Sequence, residues 1–168
     1  MLLRVLGGLP LGAARGGTPC ALGQHRLRAD FMKIIPAILT NDPMELDALL
    51  RRIRDSRKYS RVQVDFVDGE YANNKSIRVE ECKSIREYTD LKFDAHLMRL
   101  EKNLAEYVNG LQGFDRVIVQ MESVAHPENF ECLALDVHSP VEAIELYLPK
   151  LKLVNLMAIE PGFGGQKF

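Results

Sequence analysis

Apolar residues fall into short unbroken runs that alternate with longer stretches where they recur at helical spacing. Residues 34–39 form an almost uninterrupted apolar run, as expected of a strand buried on both faces. The following Asn41-Asp42-Pro43-Met44-Glu45 predicts a helix start. Asp42 can cap it, Pro43 suits the first helical position, and Glu45 can reach back as in a capping box. Further strands are predicted at 61–66, 92–97, 116–121, 132–136 and 151–159. Helices are predicted at 77–88 and about 100–109, the second ended by Gly110 and Gly113. Ser139-Pro140-Val141-Glu142 repeats the capping signature, whereas 122–131, with Pro127 inside, is too short for a full helix. Strands alternating with helices over short connections imply a parallel α/β sheet with helices outside. Six such units suit an open doubly wound sheet or an eight-stranded barrel missing its last two units, and periodicity does not separate the two.

The polar residues inside the strands carry more information. In a parallel α/β array the active site lies at the carboxyl ends of the strands. Gln63 and Asp65 stand two apart, so both face away from Val62, Val64 and Phe66. Asp94 shares a face with His96, and Gln120 with Glu122; the fifth strand ends in Asp136 and the sixth leads to Glu160. Inward charges need a reason, because an unpaired buried carboxylate costs several kcal/mol. Such layers can simply hydrogen-bond to one another. Asp65 and His96 on neighbouring strands also suit proton transfer or a divalent metal. The loop 161–166, with Gly162, Gly164 and Gly165, reads as a phosphate site, since glycine lets backbone N–H groups approach an anion.

Composition narrows the field of partners. The chain has 168 residues, 46% hydrophobic and 27% charged, with a net charge of −1. No basic, aromatic-rich cluster offers a nucleic acid a surface. No apolar run approaches the roughly 20 residues of a membrane span. Cys20, Cys82 and Cys132 fit no zinc spacing or disulfide framework and read as reduced thiols. Residues 1–31 differ from the rest, with Arg4, Arg15, Arg26 and Arg28 against the single acid Asp30. They read as an upstream extension, or as a transit peptide, ahead of a domain over 32–168 that begins naturally at Met32. Cytoplasmic location follows from the first reading and an organelle from the second.

Taken together, Ile35-Pro36-Ala37-Ile38-Leu39, Val64-Asp65-Phe66-Val67-Asp68-Gly69, Asp94-Ala95-His96-Leu97-Met98 and Pro161-Gly162-Phe163-Gly164-Gly165-Gln166-Lys167-Phe168 closely resemble ribulose-phosphate 3-epimerases. Asn74, Ser76, Glu122 and Ser139-Pro140 also fall where that family has similar residues. The resemblance implies a (β/α)8 TIM barrel that interconverts D-ribulose 5-phosphate and D-xylulose 5-phosphate by metal-assisted proton transfer at C3. It makes Asp65 a catalytic base and metal ligand, and His96 a metal ligand that also touches substrate. Gly162, Phe163, Gly164 and Gly165 would surround substrate and phosphate, and Met98 and Met157 would line the pocket. The implied cofactor is a divalent cation: zinc, iron, manganese or cobalt. The implied partner is a small pentose phosphate, and a homo-oligomer is compatible with the family.

Four departures qualify this. Gln63 stands where the family has a histidine ligand and offers only a neutral amide oxygen, poorer for zinc-like ions. Ala37 replaces a substrate-contacting serine. The segment 122–131 is shorter than the family's connection. The second catalytic aspartate is expected beyond Phe168, so the chain as given should be inactive and its edge strands prone to associate. A related sugar-phosphate epimerase, or a non-catalytic sugar-phosphate-binding homologue, is the alternative reading.

Overall fold

The computed structural model of the chain describes residues 33–108 and 110–166. The expected extension 1–31, with Cys20, and the helix end at Asn109, together with Lys167 and Phe168, lie outside the described residues. Six strands, β1 (Ala37–Ile38), β2 (Arg61–Val67), β3 (Lys92–Met98), β4 (Arg116–Gln120), β5 (Cys132–Leu135) and β6 (Leu153–Leu156), pair in chain order. Every pairing is parallel. A doubly wound sheet reverses its strand order at a switch point. This order runs β1 to β6 without reversal, as in a (β/α)8 barrel of which six strands are present.

The strand ends differ from the sequence reading. β1 is two residues rather than six, and Ile34 is 54% exposed. Its single described neighbour is β2, and Pro36 has no N–H to give, contributing only its carbonyl to Gln63 N at 2.8 Å. β6 stops at Leu156 rather than residue 159, and β5 stops one residue short of Asp136.

The helices differ more. α1 (Pro43–Ser56) forms as predicted, with Asp42 accepting Met44 N at 2.8 Å and Pro43 leading. Leu46 and Leu50, one turn apart, bury fully against the sheet. Glu45 does not close a capping box on Asp42; it accepts instead from the Thr40 hydroxyl, whose oxygen caps Asp42 N. The predicted helix 77–88 is two 3₁₀ segments, Val79–Glu81 and Lys83–Glu87. Its buried residues explain this. Val79, Cys82, Ile85, Tyr88 and Leu91 recur every third position, and the backbone follows with i to i+3 bonds from each to the next. A period of three eclipses side chains in a 3₁₀ helix, whereas in an α-helix it would drift off the core face. The predicted helix at 100–109 is a 3₁₀ turn, Glu101–Asn103, followed by the short α2 (Leu104–Val108). The one predicted after Pro140 is also 3₁₀, Val141–Ile144 and Leu148–Lys150, with no side-chain cap. As expected, 122–131 holds no full helix.

Two apolar layers result. Outside the sheet, Val62, Val64, Phe66, Phe93, Ala95, Leu97 and Val119 pack on α1 and the 3₁₀ turns. Phe66 meets Tyr107 and Phe114 edge to face, at 5.9 and 5.7 Å between ring centroids. On the other face Ile118, Cys132, Ala134 and Leu153 form a smaller cluster. Cys82 and Cys132 are both buried. No helix among the described residues is long and apolar enough to cross a membrane.

Candidate functional site

Strand parity puts Gln63, Asp65, His96, Gln120 and Asn155 on the face opposite the helices, and register sets their height. Asp65 is the direct cross-strand partner of His96, while Gln63 sits one step lower, opposite Asp94. The first three meet. Asp65 Oδ1 accepts from Gln63 Nε2 at 2.8 Å and lies 3.1 Å from His96 Nδ1, with Gln63 Nε2 and His96 Nδ1 at 3.4 Å. Gln63 and His96 are buried, and the Asp65 side chain is 15% exposed. A ring proton on Nδ1 satisfies the carboxylate and leaves Nε2 as a buried lone pair with no partner. Both contacts fall on Oδ1, so among the described residues Oδ2 keeps its capacity to accept a proton.

Asp94 separates from this group. It lies at the amino-terminal half of β3, where Arg61 Nη1 reaches Oδ1 at 2.5 Å and Arg116 grips both oxygens at 2.8 and 3.1 Å. It is a fully buried structural anchor that ties β2, β3 and β4 together. Its shared parity with His96 did not reveal that difference in height.

A divalent ion needs converging lone pairs, and where these three groups meet, the lone pairs face one another's protons instead. Gln63 presents its N–H, not its oxygen, at the junction, and one oxygen of Asp65 already receives two contacts. Among the described residues no three His, Cys, Asp or Glu side chains converge. The set as it stands does not fit a zinc-type ion.

The glycine loop crosses the barrel mouth from β6 and docks on the loop after β2. Asn74 Nδ2 donates to Gly162 O at 2.7 Å, and Gly162 N points at Met98 Sδ at 3.1 Å. Gly162 has φ +85°, and a Cβ there would lie 2.6 Å from Ala72 Cβ, so only glycine fits. Gln166 braces the loop from within, donating to Glu160 O and Phe163 O at 2.8 and 2.9 Å. Gly164 and Gly165 stand exposed, with open space where a side chain would be. Phe163 is 46% exposed beside them. Met157 lies near Asn155, with Nδ2 to Sδ at 3.9 Å. Ala37 is exposed on β1 at the level of Gln63.

Sequence reasoning missed Asp68, although its motif was in view. Partial burial pushes its carboxyl up, but N–H groups of Tyr71, Asn103, Glu70 and Leu100 outweigh that and hold it at about 2. It thereby joins the loops that follow β2 and β3. Asp136, Glu160, Tyr71 and Phe163 line a cleft at the mouth. Tyr71 OH donates to Asp136 Oδ2 at 3.2 Å, and Glu122 accepts Asp136 N at 2.8 Å. His138 pairs with Glu160 at 2.6 Å, which raises the exposed imidazole's affinity for its proton.

Fold and site define a class: a parallel α/β barrel with a carboxylate–imidazole pair at its strand ends and a glycine loop poised above them. The ribulose-phosphate 3-epimerase family model matches residues 33–168, and the chain belongs to that family. It is 33% identical over 150 residues to a ribulose-phosphate 3-epimerase of Bacillus subtilis (strain 168), covering 82% of this chain and 68% of that one. It is 31% identical over 115 residues to a ribulose-phosphate 3-epimerase of Methanocaldococcus jannaschii, covering 62% and 48%. A chloroplastic ribulose-5-phosphate-3-epimerase of Arabidopsis thaliana is 29% identical over 119 residues, covering 64% and 42%. The chain thus spans from under half to about two thirds of the length of these curated relatives.

Proposed function

We propose that the chain serves an epimerase acting on a pentose phosphate, interconverting D-ribulose 5-phosphate and D-xylulose 5-phosphate through a proton at C3. One observation carries this: Asp65 is held at Oδ1 by His96 and Gln63, with Oδ2 left for a proton. The C3 proton of a 2-ketose is weakly acidic, and its bond electrons pass toward the C2 carbonyl oxygen when a base removes it. Asp65 Oδ2 takes that proton from one face, while the two contacts on Oδ1 fix the carboxylate's direction. Return from the opposite face inverts the centre, so the pair supplies one of the two transfers. The phosphate dianion suits Gly164 and Gly165, whose backbone stands open with no atom where a side chain would be.

Gln63 favours a second reading. Its amide, where the family has a histidine ligand, occupies one oxygen of the base, which suits a protein that binds sugar phosphate without turning it over. The test is exchange of the C3 proton of D-ribulose 5-phosphate with deuterated water, followed by NMR. In the protein completed to the length of its relatives, wild type should exchange, and Asp65→Asn should be slower by about 10²-fold or more. Binding without exchange in wild type would assign the second reading. Exchange preserved in Asp65→Asn would remove Asp65 as the base.

A further inference from the structure

Two buried carboxamides remain outside the mechanism. Gln120 closes β4 and Asn155 lies within β6; both are fully buried. Each shares its strand parity with the inner apolar cluster: Gln120 with Ile118, and Asn155 with Leu153. Register places them on one level, because both are cross-strand partners of Ala134. Neither Nε2 nor Oε1 of Gln120 has a hydrogen-bond partner, and Asn155 Oδ1 also lacks one. One strand over, His96 Nε2 is likewise unpartnered. Orphan amides in a closed interior cost free energy, and apolar residues of the same shape would remove that cost.

We propose that Gln120 and Asn155 form a hydroxyl-reading floor beneath the glycine loop and determine specificity for the polyhydroxylated part of the sugar phosphate. This rests on the pentose-phosphate reading above. The chemistry of the orphans matches. A sugar hydroxyl both donates and accepts, and Gln120 offers a donor and an acceptor while Asn155 and His96 offer acceptors. The spacing matches too. Adjacent strands lie about 4.8 Å apart, so the two backbones are about 10 Å apart, and the residue between their side chains is the small Ala134. Gly162 N meets Met98, the residue after Leu97, and Leu97 pairs with Val119, the residue before Gln120, so the glycine loop reaches the end of β3 next to the end of β4. A simple alkyl phosphate would leave the amides as unsatisfied as before, whereas a ketose phosphate would complete them.

The test titrates the full chain by calorimetry with D-ribulose 5-phosphate and with n-pentyl phosphate, which has the chain length and phosphate but no hydroxyls. Wild type should prefer the sugar phosphate. Gln120→Met and Asn155→Leu should each weaken D-ribulose 5-phosphate by about tenfold or more and leave n-pentyl phosphate unchanged. Their unfolding midpoints should stay level or rise, since no orphan amide remains. Unchanged sugar-phosphate affinity with a lowered midpoint would overturn the proposal and assign the amides to internal water. Unchanged affinity with an unchanged midpoint would overturn it equally. Should a variant fail to fold, wild type alone decides: equal affinity for both probes sinks the floor but spares the phosphate site. Wild type that binds neither probe sinks the pentose-phosphate reading itself.

Discussion

Alanine placed at three positions of the glycine loop should produce three different outcomes. At Gly162 the new methyl would lie 2.6 Å from Ala72 Cβ on a backbone with φ +85°. The left-handed conformation costs a side chain about 1–2 kcal/mol. Pushing the loop off residue 72 adds about 1–3 kcal/mol of overpacking. Shifting the loop also loosens the 2.7 Å bond from Asn74, worth about 1 kcal/mol. These terms overlap, because one shift relieves part of the clash while breaking the bond, so Gly162→Ala should cost about 3 kcal/mol. At Gly165, φ is +71° but no atom lies within 4 Å, so only the backbone term remains, about 1 kcal/mol. Gly164 has open space and no left-handed backbone, so alanine there should be neutral or stabilise by about 0.5 kcal/mol through the unfolded chain. Urea unfolding reads the series as midpoint shifts at constant slope. Inorganic phosphate titration separates stability from binding: Gly164→Ala should weaken phosphate without lowering the midpoint. Equal destabilisation at Gly162 and Gly164 would refute the docking of this loop on residues 72 and 74. Unchanged phosphate affinity in Gly164→Ala would remove the anion from the loop.

Asp94→Asn leaves Arg61 and Arg116 facing a neutral amide in a buried setting and should cost about 3 kcal/mol, read from the urea midpoint; a shift below about 1 kcal/mol would demote the anchor. Asp68 titrates near 2 in the fold, below its ordinary 3.8, so its contribution is fully present above about pH 4 and lost as pH falls through about 2. The gap in unfolding midpoint between wild type and Asp68→Asn should therefore close over that window, and a gap that persists at pH 2 would contradict the assignment. Gln63→His replaces the amide donor with an imidazole beside Asp65 and His96 and should tighten zinc binding measured by calorimetry; no change would mean that the amide is not what keeps the ion out.

How much of this was legible in the chain depends on which coordinate a feature needs. Alternation along a strand is a local property, so the facing of Gln63, Asp65, His96 and Gln120 could be read directly, as could Asp42 and Pro43 at the start of α1. The glycine-rich 161–166 announced itself through composition. Height within the barrel is different, because it depends on the stagger between strands about thirty residues apart. Asp94 and His96 share parity and look equivalent in sequence, yet register sends one to the arginines and the other to Asp65. Asn155 stands mid-strand in an apolar run, and only the alignment of β4, β5 and β6 brings it level with Gln120. The segment 77–91 carried a readable signal, a stripe every third residue, that an α-helical expectation overrode. No local pattern marks Ala72 and Asn74 as the seat of Gly162, because they meet it across the barrel mouth. Local sterics and side-chain chemistry are written into neighbouring residues; distances between strands are set by how the whole sheet packs, and the site is assembled from those distances.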